Sequence, residues 1–208
     1  MAGRPPDGFR RRWWAYTSGA FGSWRGLFRS TDVSTKGPLS TRSGHLRSTQ
    51  FALLRTVSPM DEAENKCLSD VEKYGCQVRH VMAEGDSPPF SYSIGIERSS
   101  GSPEIIVVGL EQSLSHFIVN EYNRRARDGE QYRPHQRVSD FIEGFDCELR
   151  AMDLSHYRNY LGWALWFYGG SNFRVLQLVY PTTTGIWPWD PDAPSSFKIW
   201  QPVLDTSG

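Results

Sequence analysis

Apolar and polar positions in this chain keep no steady period through residues 1–59, and the first sustained pattern opens at Met60. From there DEAENKCLSDVEKYGC reads as an acid-led helix that stops at Gly75. CQVRHVMA alternates as a strand, and GDSPP breaks it with two prolines. FSYSIGIE follows as a period-2 strand, with Phe90, Tyr92, Ile94 and Ile96 on one face and Ser91, Ser93 and Gly95 on the other. In EIIVVGL four consecutive β-branched residues, Ile105 to Val108, predict a strand buried on both faces and hence the centre of the sheet.

The second half repeats this mixture. Leu114, Phe117, Ile118, Tyr122 and Arg125 form one stripe of a helix over Glu111–Arg127, with Gly129 as its stop. Tyr132 to Asp140 is polar and reads as irregular. CELRAMDL alternates, with Cys147, Leu149 and Ala151 sharing a face. Tyr157, Tyr160, Leu161, Ala164, Leu165 and Tyr168 then keep a helical period for three turns, and Gly169-Gly170 ends it. FRVLQLVYP is a strand closed by Pro181, a turn-rich TTTGIWPWDPDAP follows, and a short FKIWQPVL closes the chain. WALWFY also fits a strand, with GGSN as a hairpin loop into FRVLQLVYP, but the sustained 3.6 period favours the helix.

These elements predict an α+β fold: a mainly antiparallel sheet of four to five strands with two or three packed helices. A split barrel like that of flavin reductases is compatible with the strand order, as an analogy of fold alone.

Charge divides the chain. Residues 1–60 hold ten Lys/Arg against two Asp/Glu, whereas residues 61–208 hold thirteen against twenty-one. Residues 1–59 are therefore expected to be a disordered basic extension, and residues 60–208 a single α+β domain. Three origins stay open for the extension: upstream sequence ahead of a true start near Met60, an Arg- and Ser-rich targeting segment, or an ordinary basic tail.

The acidic remainder argues against a nucleic-acid surface, which needs clustered cations. Arg124, Arg125, Arg127, Arg133 and Arg137 are local exceptions and fit a solvated helix end. No apolar run approaches the roughly 20 residues a membrane-spanning helix needs. The N-terminus lacks the apolar core of a secretory signal. Cys67, Cys76 and Cys147 are an odd set without paired spacing, which fits a reducing compartment. A soluble cytoplasmic protein without a membrane partner is expected.

Candidate chemistry is sparse. Ser91 and Ser93 make a small polar strand face that a ligand could approach, although a face simply wetted by solvent is the plainer account. Gln177 sits inside VLQLV, where a buried amide must find partners; bonding to nearby backbone outweighs ligand contact there. Trp163 and Trp166, with Phe167, Tyr168, Trp187 and Trp189, could line a pocket, although core packing is the commoner role of such residues.

His80, His116, His135 and His156 show no chelating spacing, so no metal site is expected. Glu143, Asp146, Glu148 and Asp153 are close only in sequence. No nucleophile elbow, phosphate loop or dinucleotide fingerprint occurs, and Gly169-Gly170 follows a helix instead of opening one. No reaction or cofactor is thereby named.

Four blocks, PPFSYSIGIE, PEIIVVGL, YLGWALWFYGGSNFRVLQLVYP and GIWPWDP, resemble in order the mostly bacterial domain of unknown function 4262 family. The family's counterparts are a Phe-x-Tyr-Thr-x-Gly strand, a His-Pro-Glu start to the next strand, a Tyr-Gly-Gly-x-x-Phe turn, a Gln-Leu-Val-Trp-Pro-Asp strand end and a Pro-Trp pair. The resemblance spans Gly75 to Leu204 and brings no activity or catalytic residue with it. Ser102 stands where the family has His, and Tyr180-Pro181-Thr182 where it has Trp-Pro-Asp.

Two functions follow as expectations. In the first, a small ligand occupies a pocket combining Ser91, Ser93, Gln177, Trp163 and Trp166. In the second, a protein partner meets an acidic surface bearing Trp187, Trp189 and Trp200.

Overall fold

A computed structural model describes residues 59–206, so the expectations for the basic extension lie outside the described residues. Six strands form one mixed sheet: β1 (Gln77–Val81), β2 (Phe90–Ile94), β3 (Glu104–Val108), β4 (Arg137–Ile142), β5 (Phe145–Ala151) and β6 (Val175–Val179). Their order is β1-β2-β3-β6-β5-β4. Only the central pair, β3 and β6, is parallel; the other pairs are antiparallel. All five positions of β3 and of β6 are buried, as the β-branched run in β3 predicts.

The sheet corrects the expectation of four to five strands. The sixth is β4, within the stretch read as irregular. It is an edge strand with Arg137, Ser139 and Asp140 exposed, its ladder shifts register between Val138 and Ile142, and Asp140 has φ of 66°. A bulged edge with a polar outer face carries little apolar alternation to read. The sheet is also open, with β1 and β4 as separate edges, so the split-barrel analogy does not hold.

Helix α1 (Pro59–Tyr74) ends as predicted at Gly75, whose φ is 85°. The strand read through Glu97 stops three residues earlier, at Ile94. Gly95 takes φ of 101°, and Ile96 opens the short helix α2 (Ile96–Ser100). A Cβ at Gly95 would lie 2.5 Å from Val71 Cγ1, so both backbone angle and α1 packing require glycine. Period-2 alternation hid this turn because a small residue was due at that position.

Helix α3 (Gln112–Arg127) has the predicted extent; Ile118 and Tyr122 of the expected stripe are buried and Leu114 packs on the core, with Ser115, Val119, Asn123 and Ala126 completing the buried face. Phe117, placed on the stripe by its size, is 53% exposed. The small and polar members of the buried face hid its full width. α3 covers one sheet face, where Ile118, Val119 and Tyr122 cluster with Ile105, Val107, Leu149, Leu176 and Leu178.

The opposite face packs against α1 and the pair α4 (Tyr157–Tyr160) and α5 (Gly162–Tyr168). Cys67, Tyr157, Leu161, Ala164 and Phe173 meet Tyr92, Ile94, Ile106 and Val175 there. The expected single helix is broken at Leu161 (φ −117°, ψ 34°), yet WALWFY is helical, not a hairpin strand. Gly169 N–H donates to Trp166 O and Gly170 N–H to Leu165 O, a two-bond helix stop with Gly169 at φ of 68°. All three cysteines are buried free thiols, and no described helix is long and apolar enough to cross a membrane.

A C-terminal strap lies across the sheet end after α6 (Ser195–Trp200). Fully buried Gln177 donates to Pro202 O (2.8 Å) and accepts from Leu204 N–H (2.8 Å). Gln201 holds the Tyr180 backbone in the same two-sided way, at 2.9 Å each. Gln177→Leu leaves the half-buried Pro202 carbonyl and the buried Leu204 N–H without this partner. It is expected to cost about 1–3 kcal/mol in urea unfolding; an unchanged midpoint would show the strap to be dispensable.

Candidate functional site

The β2–β3 ladder is in register through Tyr92 and Ile106. At the next position the Ser93 hydroxyl accepts Ile105 N–H (2.9 Å) and donates to a Glu104 carboxylate oxygen. Glu104 is only 1% exposed. Its other oxygen accepts Gly95 N–H (2.8 Å), Glu97 N–H (3.1 Å) and the Tyr168 hydroxyl. Tyr168 is fixed in turn by stacking on Phe173, with ring centroids 4.5 Å apart. Four neutral donors and no cation thus hold one buried carboxyl, tying β2, β3, α2 and α5 together. Burial pushes its pKa up, and the hydrogen bonds oppose that shift. With both oxygens engaged and no opening to solvent, the group is equipped to hold structure and not to exchange protons with a substrate.

A second ionic group on the same side of the sheet is held differently. Arg79 of β1 lies opposite Tyr92, and its guanidinium stacks on the Trp163 ring, 3.7 Å from the centroid. Its Nε and Nη2 are buried without a hydrogen-bond partner. Asp70, which could have paired with it, is bonded to Lys66 and Gln77. Trp166 meets Trp163 edge-on at 5.4 Å and is 40% exposed, while Tyr92 Oη accepts Trp163 N–H at 3.4 Å. Cys67 is buried nearby; burial pushes its thiol pKa up, and the Arg79 charge opposes this.

The residues singled out in the sequence are divided among these surroundings. Ser91 and Ser93 are 3% and 0% exposed, so the wet-face account of them is corrected: α3 and the β2–β3 seam cover both. Ser93 serves Glu104, and Ser91 lies 2.7 Å from His80 Nδ1. Trp163 and Trp166 frame Arg79. Gln177 holds the C-terminal strap on that same side of the sheet, whereas Ser91 faces α3.

Trp187 and Trp189 stack on each other at 5.0 Å. Arg137 lies over the first ring at 4.3 Å and Arg150 over the second at 4.1 Å. Glu148 pairs with Arg150 at 2.7 Å and Arg137 at 3.5 Å, closing this layered cluster on β4 and β5. Among the described residues no three His, Cys, Asp or Glu side chains converge as a metal cluster would.

The Glu104 cluster joins blocks far apart in sequence: Ser93 and Gly95 of the first, Glu104 of the second, Tyr168 and Phe173 of the third. A family profile described as Domain of unknown function (DUF4262) matches residues 70–194. The chain belongs to this family. The match contains the Glu104 cluster, Arg79 and both α5 tryptophans, while Cys67 and the C-terminal strap of this DUF4262 protein lie outside it. No curated protein and no solved structure matches the chain.

Neither Arg79 nor the role of Glu104 was singled out from sequence. The available signal was an acidic residue opening a β-branched run, where a charge must find partners. Arg79 gave none, since an arginine on an alternating strand reads as its wet face.

Glu104→Ala strands four donors and is expected to lower unfolding free energy by about 3 kcal/mol or more. Because the folded protein raises this carboxyl's pKa, it binds the proton more tightly than the unfolded chain does. The group's contribution to stability therefore falls as pH rises above its ordinary value of 4.5. The stability of the wild type relative to Glu104→Gln should fall over that range; a difference that is flat or rises with pH contradicts the assignment.

Proposed function

We propose that this domain binds a small molecule carrying an anionic group, with that group docked on Arg79 and an apolar or planar portion against Trp163 and Trp166. The observation that carries the reading is the Arg79 guanidinium, whose buried Nε and Nη2 have no hydrogen-bond partner. Buried N–H groups of a half-buried cation left without partners cost free energy, so a group held this way fits an anion or ordered water.

The stacked Trp163 ring fixes the guanidinium plane. Nε and Nη2 lie on one edge of that plane, the edge that grips a carboxylate or phosphate with two parallel hydrogen bonds. Trp166, partly exposed beside it, offers the amphipathic surface usual at ligand mouths. This centre keeps Trp163 and Trp166 from the expected pocket. Ser93 and Gln177 act as supports of the surrounding frame, and Ser91 faces the other side of the sheet.

The test is Arg79→Met, which keeps much of the packing against Trp163. If the guanidinium serves a ligand, the variant's melting temperature stays level or rises, as when an unpaired buried charge is replaced by an apolar side chain. The same variant then loses the melting shift that a panel of carboxylate and phosphate metabolites gives the wild type. A marked fall in melting temperature, or no response to the whole panel by the wild type, sinks the proposal.

A further inference from the structure

On the opposite face of the sheet, two imidazoles from different elements meet at the edge of solvent. His80 follows Arg79 on β1 and so points the other way, toward α3. Its Nε2 lies 3.2 Å from Nδ1 of His116 on α3, with ring centroids 5.3 Å apart and planes tilted by 41°. Its Nδ1 is 2.7 Å from the Oγ of buried Ser91. No chelating spacing marks this pair in the sequence, because strand pairing and helix docking bring together residues 36 positions apart.

We propose that His80 Nε2 and His116 Nδ1 together ligate a divalent transition-metal ion. Two nitrogens on one tetrahedral ion, each about 2.0–2.1 Å from it, stand about 3.3 Å apart, close to the separation found here. Ser91 supplies the outer support that metal-bound histidines use. In the metal-bound form Ser91 Oγ would accept His80 Nδ1–H and so fix the tautomer that leaves the Nε2 lone pair facing His116.

His116 is exposed, so the ion has a path from solvent. Imidazole donors select Zn2+, Ni2+ or Cu2+ over Mg2+ and Ca2+, which prefer oxygen. Among the described residues no third His, Cys, Asp or Glu joins the pair, leaving the remaining coordination positions to water or to a ligand atom.

The experiment titrates Zn2+ and Ni2+ into the full, tag-free chain after chelator treatment, with Mg2+ as control, and follows heat of binding and histidine ring NMR signals. Saturable, equimolar Zn2+ binding that shifts the His80 and His116 ring signals is expected, with no response to Mg2+. His116→Ala and His80→Ala should each weaken Zn2+ binding about tenfold or more, and Ser91→Ala should weaken it measurably. His116 is exposed, so its variant is expected to fold. Absence of Zn2+ and Ni2+ binding by the wild type overturns the proposal. So does binding that a folded His116→Ala variant retains undiminished.

Discussion

One carboxyl, buried without a cation, fixes the arrangement around it. Glu104 opens the central strand β3 and collects donors from β2, the first turn of α2 and the last residue of α5. A charge or proton kept at 1% exposure is tolerable only when its partners are all present together. The position of α5 therefore depends on the turn at Gly95, and the turn on the close approach of Val71. Local choices that look independent along the chain answer to one electrostatic requirement.

Arg79, on the same side of the sheet, shows the opposite arrangement. Glu104 is closed off by dipoles, whereas Arg79 is held by an aromatic face and keeps two donors unused. A π-face lowers the energy of the cation without consuming its N–H groups, so stacking positions the group and leaves its directional bonding capacity intact. The layered Arg137–Trp187–Trp189–Arg150 cluster uses the same stacking but adds Glu148 as an ionic partner, which Arg79 lacks.

Much of the frame was legible in the chain. The β-branched run at Ile105–Val108 does mark the sheet centre, the stops at Gly75 and Gly169 do end helices, and α3 has the predicted extent. These signals are local, set by period and backbone angle. The edge strand β4 was not legible because its outward residues are polar and its ladder is bulged. The α3 stripe was legible in part: Leu114, Ile118 and Tyr122 do meet the core, Phe117 does not, and the buried Ser115, Asn123 and Ala126 carry no apolar signal. At the candidate sites the limit was distance: Glu104 and Tyr168, Arg79 and Trp163, and His80 and His116 meet only after strands pair and helices dock. Gln177 could be flagged as an amide in an apolar strand, but its partners at Pro202 and Leu204 belong to a segment with no periodic signal.

The parallel pairing of β3 with β6 also orders events in time. Every other strand pair joins strands consecutive in the chain, whereas the β3–β6 pair closes over α3, β4, β5, α4 and α5. Such non-local pairing carries a loop-closure cost before its contacts form, which slows folding. During synthesis the apolar β3 emerges long before its partner, and until β6 appears one of its edges has nothing to pair with. Glu104 is the one charged residue of that strand, and charge on an unpaired edge limits how readily the unfinished sheet recruits another chain.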